Sequence, residues 1–227
     1  MSRAPLSIII PTLNSAGALP LTLESLYPAL RIGLARELII SDGGSTDNID
    51  RFSEELGAVL VTGPPGRGRQ LASGAEAAEG EWLLFLHSDT ALEIGWIDVV
   101  FEHIAHRETA GYFRLKFRAS GIAPLLVAAW ANFRSARFGL PYGDQGLLIS
   151  RRLYDAIGGF KSMPIMEDVD IARRLKGRLE RLDAVAVTDA GRYQREGWLR
   201  RGTRNLFCII QYFRGVKPER ILRSYLR

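Results

Sequence analysis

Glu167, Asp168 and Asp170 put three carboxylates within four residues, directly before the helical run Ile171 to Leu175. Crowded like charges raise the proton affinity of at least one member, which suits a general base. Acids also gather at helix N-termini for capping and dipole reasons alone, so base and cap both stay open. A further carboxylate, Asp89, follows the polar pair His87-Ser88 at the end of the apolar run Trp82 to Leu86. One protein carboxylate there is enough for a hard divalent ion, because substrate phosphates can complete the oxygen shell. His87 fits a metal ligand, a nucleotide contact or a residue that orients the loop.

Two more stretches carry candidate chemistry. Asp42 ends the apolar run Leu38 to Ser41 and is followed by Gly43 and Gly44, so its carboxylate can project above a sheet edge while the backbone turns sharply. Accepting hydrogen bonds from a base or ribose is one role for it. Forming the turn is the other, with Asp47 the better cap for a helix beginning near Asn48. In Gly66-Arg67-Gly68-Arg69-Gln70, ahead of a helix-like stretch through Glu79, backbone amides and the guanidinium groups of Arg67 and Arg69 can converge on phosphate. An exposed loop is the alternative. The spacing matches neither a dinucleotide fingerprint nor a P-loop.

The elements that must position these residues are short aliphatic runs at Leu6 to Ile10, Glu37 to Ser41, Ala58 to Thr62 and Trp82 to Leu86, separated by helix-length stretches. Runs apolar at nearly every position are covered on both faces, so the pattern predicts an α/β fold with a mostly parallel central sheet and helices on both sides. Ligands then bind beyond the carboxyl ends of the strands. Each run does end in polar or glycine-rich sequence: Pro11-Thr12-Leu13-Asn14, Asp42-Gly43-Gly44-Ser45, Gly63-Pro64-Pro65-Gly66 and His87-Ser88-Asp89. Alternation across Gly111 to Arg118 suits a half-exposed, antiparallel strand; Ile122 to Phe138 reads as a helix, and Gly146 to Ser150 and Arg181 to Val187 as strands. Trp130, Phe133, Phe138 and Tyr142 either stack on a sugar or lipid or belong to the core, the core being favoured for Trp130.

With 227 residues, 47% of them apolar, the chain is long enough for one large domain. Its net charge of +5 concentrates beyond Gly191, in Arg192, Arg195, Arg200, Arg201, Arg204, Arg214, Lys217, Arg220, Arg223 and Arg227. Such a tail suits an anionic membrane surface or phosphates, or else a solvated helix face. The lone Cys208 rules out an internal disulfide and fits a reducing compartment. Met1 to Pro5 leads straight into the first strand-like run, without the pattern of a secretion signal. The longest apolar stretches, Ile122 to Ala131 and Leu206 to Phe213, are shorter than the ~18 residues of a spanning helix. These features predict a cytoplasmic chain, at most peripheral on the inner face of a membrane.

Together these stretches resemble the inverting family 2 glycosyltransferases of the GT-A fold, and the likeness covers nearly the whole chain in order. It is carried by Pro11-Thr12-Leu13-Asn14, Asp42-Gly43-Gly44-Ser45-Thr46-Asp47, Arg69-Gln70, His87-Ser88-Asp89 at the family's Asp-x-Asp position, Gly143-Asp144-Gln145-Gly146, Gly158-Gly159-Phe160 and Glu167-Asp168. Leu86 to Thr90 and Arg192-Tyr193 are similar to a small bacterial subgroup of uncertain substrate. The resemblance implies that Asp42 and Arg69 bind the nucleotide, Asp89 binds Mn²⁺ or Mg²⁺, and Asp168 deprotonates the acceptor. Pro11, Thr12, Asn14, Arg67, His87 and Ser88 complete the expected donor site.

The sequence departs from the family pattern where His87 replaces the usual first Asp, where Gln70 stands for the commoner Asn, and where no His follows His106. These departures bear on the metal, not on the fold. The expected partners are a nucleoside-diphosphate sugar and an acceptor that is a sugar, a lipid or a small molecule, with no nucleic acid. A nucleotidyltransferase, the main rival, would carry its glycine-arginine loop after the first strand rather than the third. A non-catalytic sugar-nucleotide binder is the other rival. The expected layout is a catalytic domain over residues 1–197, with a nucleotide-sugar half at 1–110 and an acceptor half at 111–197, followed by a basic amphipathic helical extension at 198–227.

Overall fold

A computed structural model describes residues 4–225; Met1 and Arg227, which entered the sequence reading, lie outside the described residues. The elements in order are β1 (Leu6–Thr12), α1 (Leu19–Arg31), β2 (Ala35–Asp42), α2 (Ile49–Glu55), β3 (Val59–Thr62), α3 (Arg67–Ala77), β4 (Trp82–Phe85), β5 (Thr90–Leu92) and α4 (Trp96–His106). There follow β6 (Ala110–Phe117), α5 (Ile122–Phe138), β7 (Leu147–Ser150), α6 (Arg151–Ala156), α7 (Glu167–Arg174), β8 (Leu179–Thr188), α8 (Gly191–Glu196), α9 (Trp198–Phe213) and α10 (Pro218–Tyr225).

The strands form one sheet in the order β3-β2-β1-β4-β7-β6-β8-β5. Pairing is parallel through β3, β2, β1 and β4 and again between β6 and β8; β7 is antiparallel to both its neighbours, and β5 to β8. The α/β architecture with a mostly parallel sheet therefore stands as the sequence predicted. The three-residue β5 is an addition, too short to leave a periodic signal. β6 is antiparallel to β7, as its alternation suggested, yet parallel to β8.

Side chains leave a strand alternately to either face, and β1 divides the core accordingly. Leu6, Ile8 and Ile10 pack with Leu26 of α1, Ile49 of α2 and Val100 of α4 on one side. Ile9 packs with Leu71 and Ala75 of α3 and Ile171 of α7 on the other. With Ile8, Ile9 and Ile10 fully buried, each contributes roughly 1.5–3 kcal/mol of transfer free energy, so the strand cannot slip in register without losing both layers. A third cluster joins Leu115 and Phe117 of β6 to Ala128 and Ala131 of α5.

Several local expectations change. The residue before α2 is Asn48, in the left-handed conformation at φ 58°, and no side chain caps that helix. Asp47 instead accepts the amide of Ala16 at 2.7 Å, tying the second strand-end loop to the first. Trp130 is not a core residue: it is 50% exposed, about as much as Phe133 and Phe138. In α9 the arginines divide between outside and inside: Arg200 is exposed, whereas Arg201 turns inward. Arg201 is buried and pairs with Glu196, which also takes Arg204, while Leu206, Ile210 and Phe213 are exposed. Among the described residues no helix is long and apolar enough to cross a membrane.

Candidate active site

A cavity of about 310 Å³ opens where β4 ends and is walled by residues of distant sequence origin. Arg67, His87, Asp89 and Asp168 all line it, joined by Tyr142, Gly143 and Asp144 from the turn after α5. Arg192 and Tyr193 of α8, and Leu222 and Tyr225 of α10, form its outer wall.

Asp168 occupies the second position of α7, not the cap. The cap is Met166, at φ 68°, and no side chain caps the helix there. One carboxylate oxygen, Oδ1, accepts the amide of Val169 at 2.8 Å, and the other, Oδ2, reaches out of the helix to accept the amide of Gly143 at 3.1 Å. Its two neighbours are tied elsewhere. Glu167 is buried and ion-paired with Arg67, whose side chain stays 38% exposed; burial raises the Glu167 carboxyl above the usual range, against the pull of Arg67. Asp170 binds Arg174 at 2.6 Å and accepts the Tyr212 hydroxyl at 3.0 Å. Burial opposes its charge, but these partners win and lower its pKa. Of the three crowded acids, Asp168 is the one that lines the cavity.

The turn Gly143–Gln145 contributes a residue for which the sequence reading had no role. Asp144 has a buried Oδ1 without a hydrogen-bond partner. Desolvation raises its pKa to about 6 against the charge of nearby Arg134, with Asp168 and Asp89 adding to the rise. His87 lies beneath the same turn, its Nε2 buried and unpartnered. Burial, then the Arg67 charge, lowers its pKa to about 3, so the imidazole is neutral near pH 7. The signal for Asp144 was present in the Gly143-Asp144-Gln145-Gly146 motif, but only the fold sets it beside Asp89 and Asp168.

The other expected donor residues do not line this cavity. Asp42 is buried and accepts four hydrogen bonds from its own neighbourhood. The Thr12 hydroxyl donates at 2.9 Å, the Gly44 amide at 2.8 Å and the Ser45 amide at 2.7 Å, with the Ser45 hydroxyl as the fourth. Desolvation would raise its pKa, but these donors outweigh it and hold the carboxyl below the usual range. Thr12 and Pro11 are buried within β1. Asn14, on the exposed surface, accepts the Thr46 amide at 2.9 Å and so joins the first two strand-end loops. The carbonyl of Ser88 accepts the Thr22 hydroxyl. Arg67 and Arg69 diverge: the first pairs with Glu167 at the cavity, the second donates to the Ser162 hydroxyl at 3.1 Å. Gln70 is structural, donating to the carbonyls of Thr12 at 2.6 Å and Ser41 at 3.1 Å.

Among the described residues no three His, Cys, Asp or Glu side chains cluster as a metal cage. The donor set at the cavity does fit a hard ion completed by phosphate oxygens. Asp89 is half-buried, and its carboxylate accepts the Thr90 hydroxyl at 3.3 Å.

The model of glycosyl transferase family 2 matches residues 7–123, just over half of the chain. A PGL/p-HBAD biosynthesis glycosyltransferase of Mycobacterium bovis is 38% identical over 99 residues, covering 40% of this chain and 38% of the relative. Glucosyl-3-phosphoglycerate synthase of Mycobacterium tuberculosis is 30% identical over 93 residues, 37% of this chain and 28% of that protein. The matched region is thus well under half the length of these relatives. The crystal structure of residues 1–349 of S. aureus TarS superposes with a TM-score of 0.62 at 16% identity, over 92% of this chain and 64% of that one. The M. tuberculosis synthase in complex with Mn²⁺ and UDP-glucose gives 0.56 at 21%, over 82% and 69%. Fold and family agree: the architecture is the GT-A fold, and the chain belongs to glycosyl transferase family 2.

Proposed function

We propose that this chain transfers a sugar from a nucleoside-diphosphate sugar to an acceptor hydroxyl, inverting the anomeric carbon in a single in-line displacement. The observation that carries the reading is one cavity lined by both Asp89 and Asp168, with Asp168 Oδ2 oriented by the Gly143 amide at 3.1 Å. A hydroxyl is a poor nucleophile near neutral pH. In this reading Asp168 takes its proton as the oxygen attacks, and the carbon–diphosphate bond breaks with its electron pair leaving on the nucleoside diphosphate. Glu167 acts by holding Arg67 at the cavity, where the guanidinium faces the phosphate charge.

Asp89 would hold Mn²⁺ or Mg²⁺ together with the diphosphate, and neutral His87 beside it adds no competing positive charge. Such an ion, when bound, offsets the negative charge that grows on the leaving diphosphate. Asp42, with Pro11, Thr12 and Ser88, shapes the strand-end loops that receive the nucleotide, while Asn14 and Arg69 meet it from the surface. Residues 1–110 form the nucleotide-sugar half and 111–197 the acceptor half, with 198–227 as a C-terminal extension. The acceptor is a hydroxyl of a sugar, lipid or small molecule. The donor class draws support from structural neighbours described with UDP-glucose and Mn²⁺ and with UDP-GlcNAc.

Thermal unfolding with a panel of nucleoside diphosphates and their sugars, in Mn²⁺, Mg²⁺ or EDTA, tests the assignment. A ligand above its dissociation constant raises the melting temperature. The reading expects one nucleotide family to do so with metal, and Asp89→Ala to remove the metal-dependent part. A panel that shifts nothing contradicts the donor assignment, and an equal shift in EDTA contradicts the metal assignment.

A further inference from the structure

Outside the cavity, the largest unexplained feature is an apolar surface shared by two helices. On α5, Ile122, Leu125, Leu126, Trp130 and Phe133 are each at least half exposed, at the spacing of one helical stripe. On α9, Leu199, Leu206, Phe207, Ile210 and Phe213 form a second exposed stripe. The two are neighbours, since Trp130 and Ala131 from one helix and Leu206 and Ile209 from the other line a single narrow cleft of about 40 Å³. A folded domain rarely leaves a contiguous apolar surface of this kind facing water.

The two helices that form this surface carry charge of one sign. Neither α5 nor α9 contains an Asp or Glu. Arg137, Arg200 and Arg214 at its margins are exposed and, among the described residues, pair with no acidic side chain. A second copy packed face to face would bring these arginines together without counter-charges. An anionic lipid surface supplies the counter-charge and an apolar interior at once. The cleft between the helices also reaches Tyr142 and Asp144, which belong to the cavity of Asp168.

We infer that the exposed face formed by α5 and α9 docks on an anionic bilayer, seating Trp130 and Phe207 at the headgroup boundary and bringing the carboxylate cavity to the membrane. If the transferase reading holds, on which this consequence rests, the acceptor is a hydroxyl-bearing amphiphile presented from that bilayer. The docking itself stands independently of the chemistry.

Flotation of the full chain with phosphatidylcholine vesicles, with and without phosphatidylglycerol, tests this, alongside the doubly substituted Leu126→Glu/Phe207→Glu. Both positions are exposed, so thermal unfolding should match the wild type. The inference expects binding to the phosphatidylglycerol vesicles that weakens with salt and falls at least about tenfold in the variant. Trp130→Phe should in turn lose most of the fluorescence quenching produced by spin-labelled lipid. Wild-type protein that stays unbound, or a variant that floats equally well, overturns the inference. So does a dimer, measured by light scattering, that the variant abolishes without any vesicle binding. Nucleotide-sugar binding measured without vesicles separates the two claims: docking without donor binding sinks the transferase reading and the acceptor consequence alone, and donor binding without docking sinks this inference alone.

Discussion

A Cβ placed on Gly143 would lie 2.4 Å from Nε2 of His87, so the turn that presents its amide to Asp168 rests directly on the imidazole. Gly143→Ala should therefore push the ring or the turn aside, at a cost of about 1–3 kcal/mol typical of an overpacked interior. His87→Ala makes room for the added methyl. Chemical denaturation of both single variants and the double variant should return a coupling of at least about 1 kcal/mol. Strict additivity would mean the contact carries no energy.

Asp144 predicts a pH dependence with a definite sign. Its folded pKa is raised to about 6 by desolvation, from a usual value near 3.8, so the folded state binds the proton more tightly than the unfolded state. Its favourable contribution is fully present below the unfolded value and is lost as pH rises through about 6. Asp144→Asn should match the wild type in stability near pH 3.5 and become the more stable of the two between pH 4 and 7, a gap that urea titrations in EDTA can follow. A gap that closes with rising pH would contradict the environment described for this carboxyl.

Asp42 should behave in the opposite way. Its carboxyl is held below the usual range by four donors from its loops, so it stabilises the fold above the unfolded pKa, and the contribution fades as pH falls through the folded value. Asp42→Ala should cost at least about 2 kcal/mol at pH 7, since several charge-assisted bonds vanish and their donors are left unpaired. The deficit should shrink in acid. Equal stability of variant and wild type at pH 7, with nucleotide affinity lost, would mean that Asp42 acts by direct ligand contact rather than by holding its loops.

The sheet was legible because β4 and the middles of β1 and β2, Ile8 to Ile10 and Leu38 to Ile40, are uninterrupted apolar runs, and that pattern also located the end of β2 at Asp42 and the loop after β4 that carries Asp89. The divergence of Arg67 and Arg69 has a simple cause. Helix α3 already begins at Arg67, and residues two apart on a helix point about 200° from each other; placing the helix start after Gln70 hid this. The same spacing separates Asp168, at the cavity, from Asp170, on Arg174. Asp42 and Asp144 could not be sorted from sequence, because their roles depend on Thr12 and on Arg134, partners remote from Asp42 and on another element from Asp144. The inward turn of Arg201 likewise depends on Glu196 and Tyr225, which helical periodicity alone does not reveal.

The central claim is that Asp168 moves the acceptor proton while its acidic neighbours hold structure. Asn is nearly isosteric with Asp and keeps one acceptor oxygen, enough for the Val169 amide or the Gly143 amide but not both, so Asp168→Asn removes the proposed base together with one of these two bonds. The measurement is transfer rate together with nucleotide-sugar affinity for Asp168→Asn, beside Glu167→Gln and Asp170→Asn. The account predicts a rate loss of about 10² to 10⁴, equivalent to roughly 2.7–5.4 kcal/mol of barrier, with donor affinity unchanged for Asp168→Asn. The two neighbours should lose stability before they lose chemistry, through their ion pairs with Arg67 and Arg174. Near-normal transfer by Asp168→Asn, with either neighbour indispensable in a folded variant, would contradict the account.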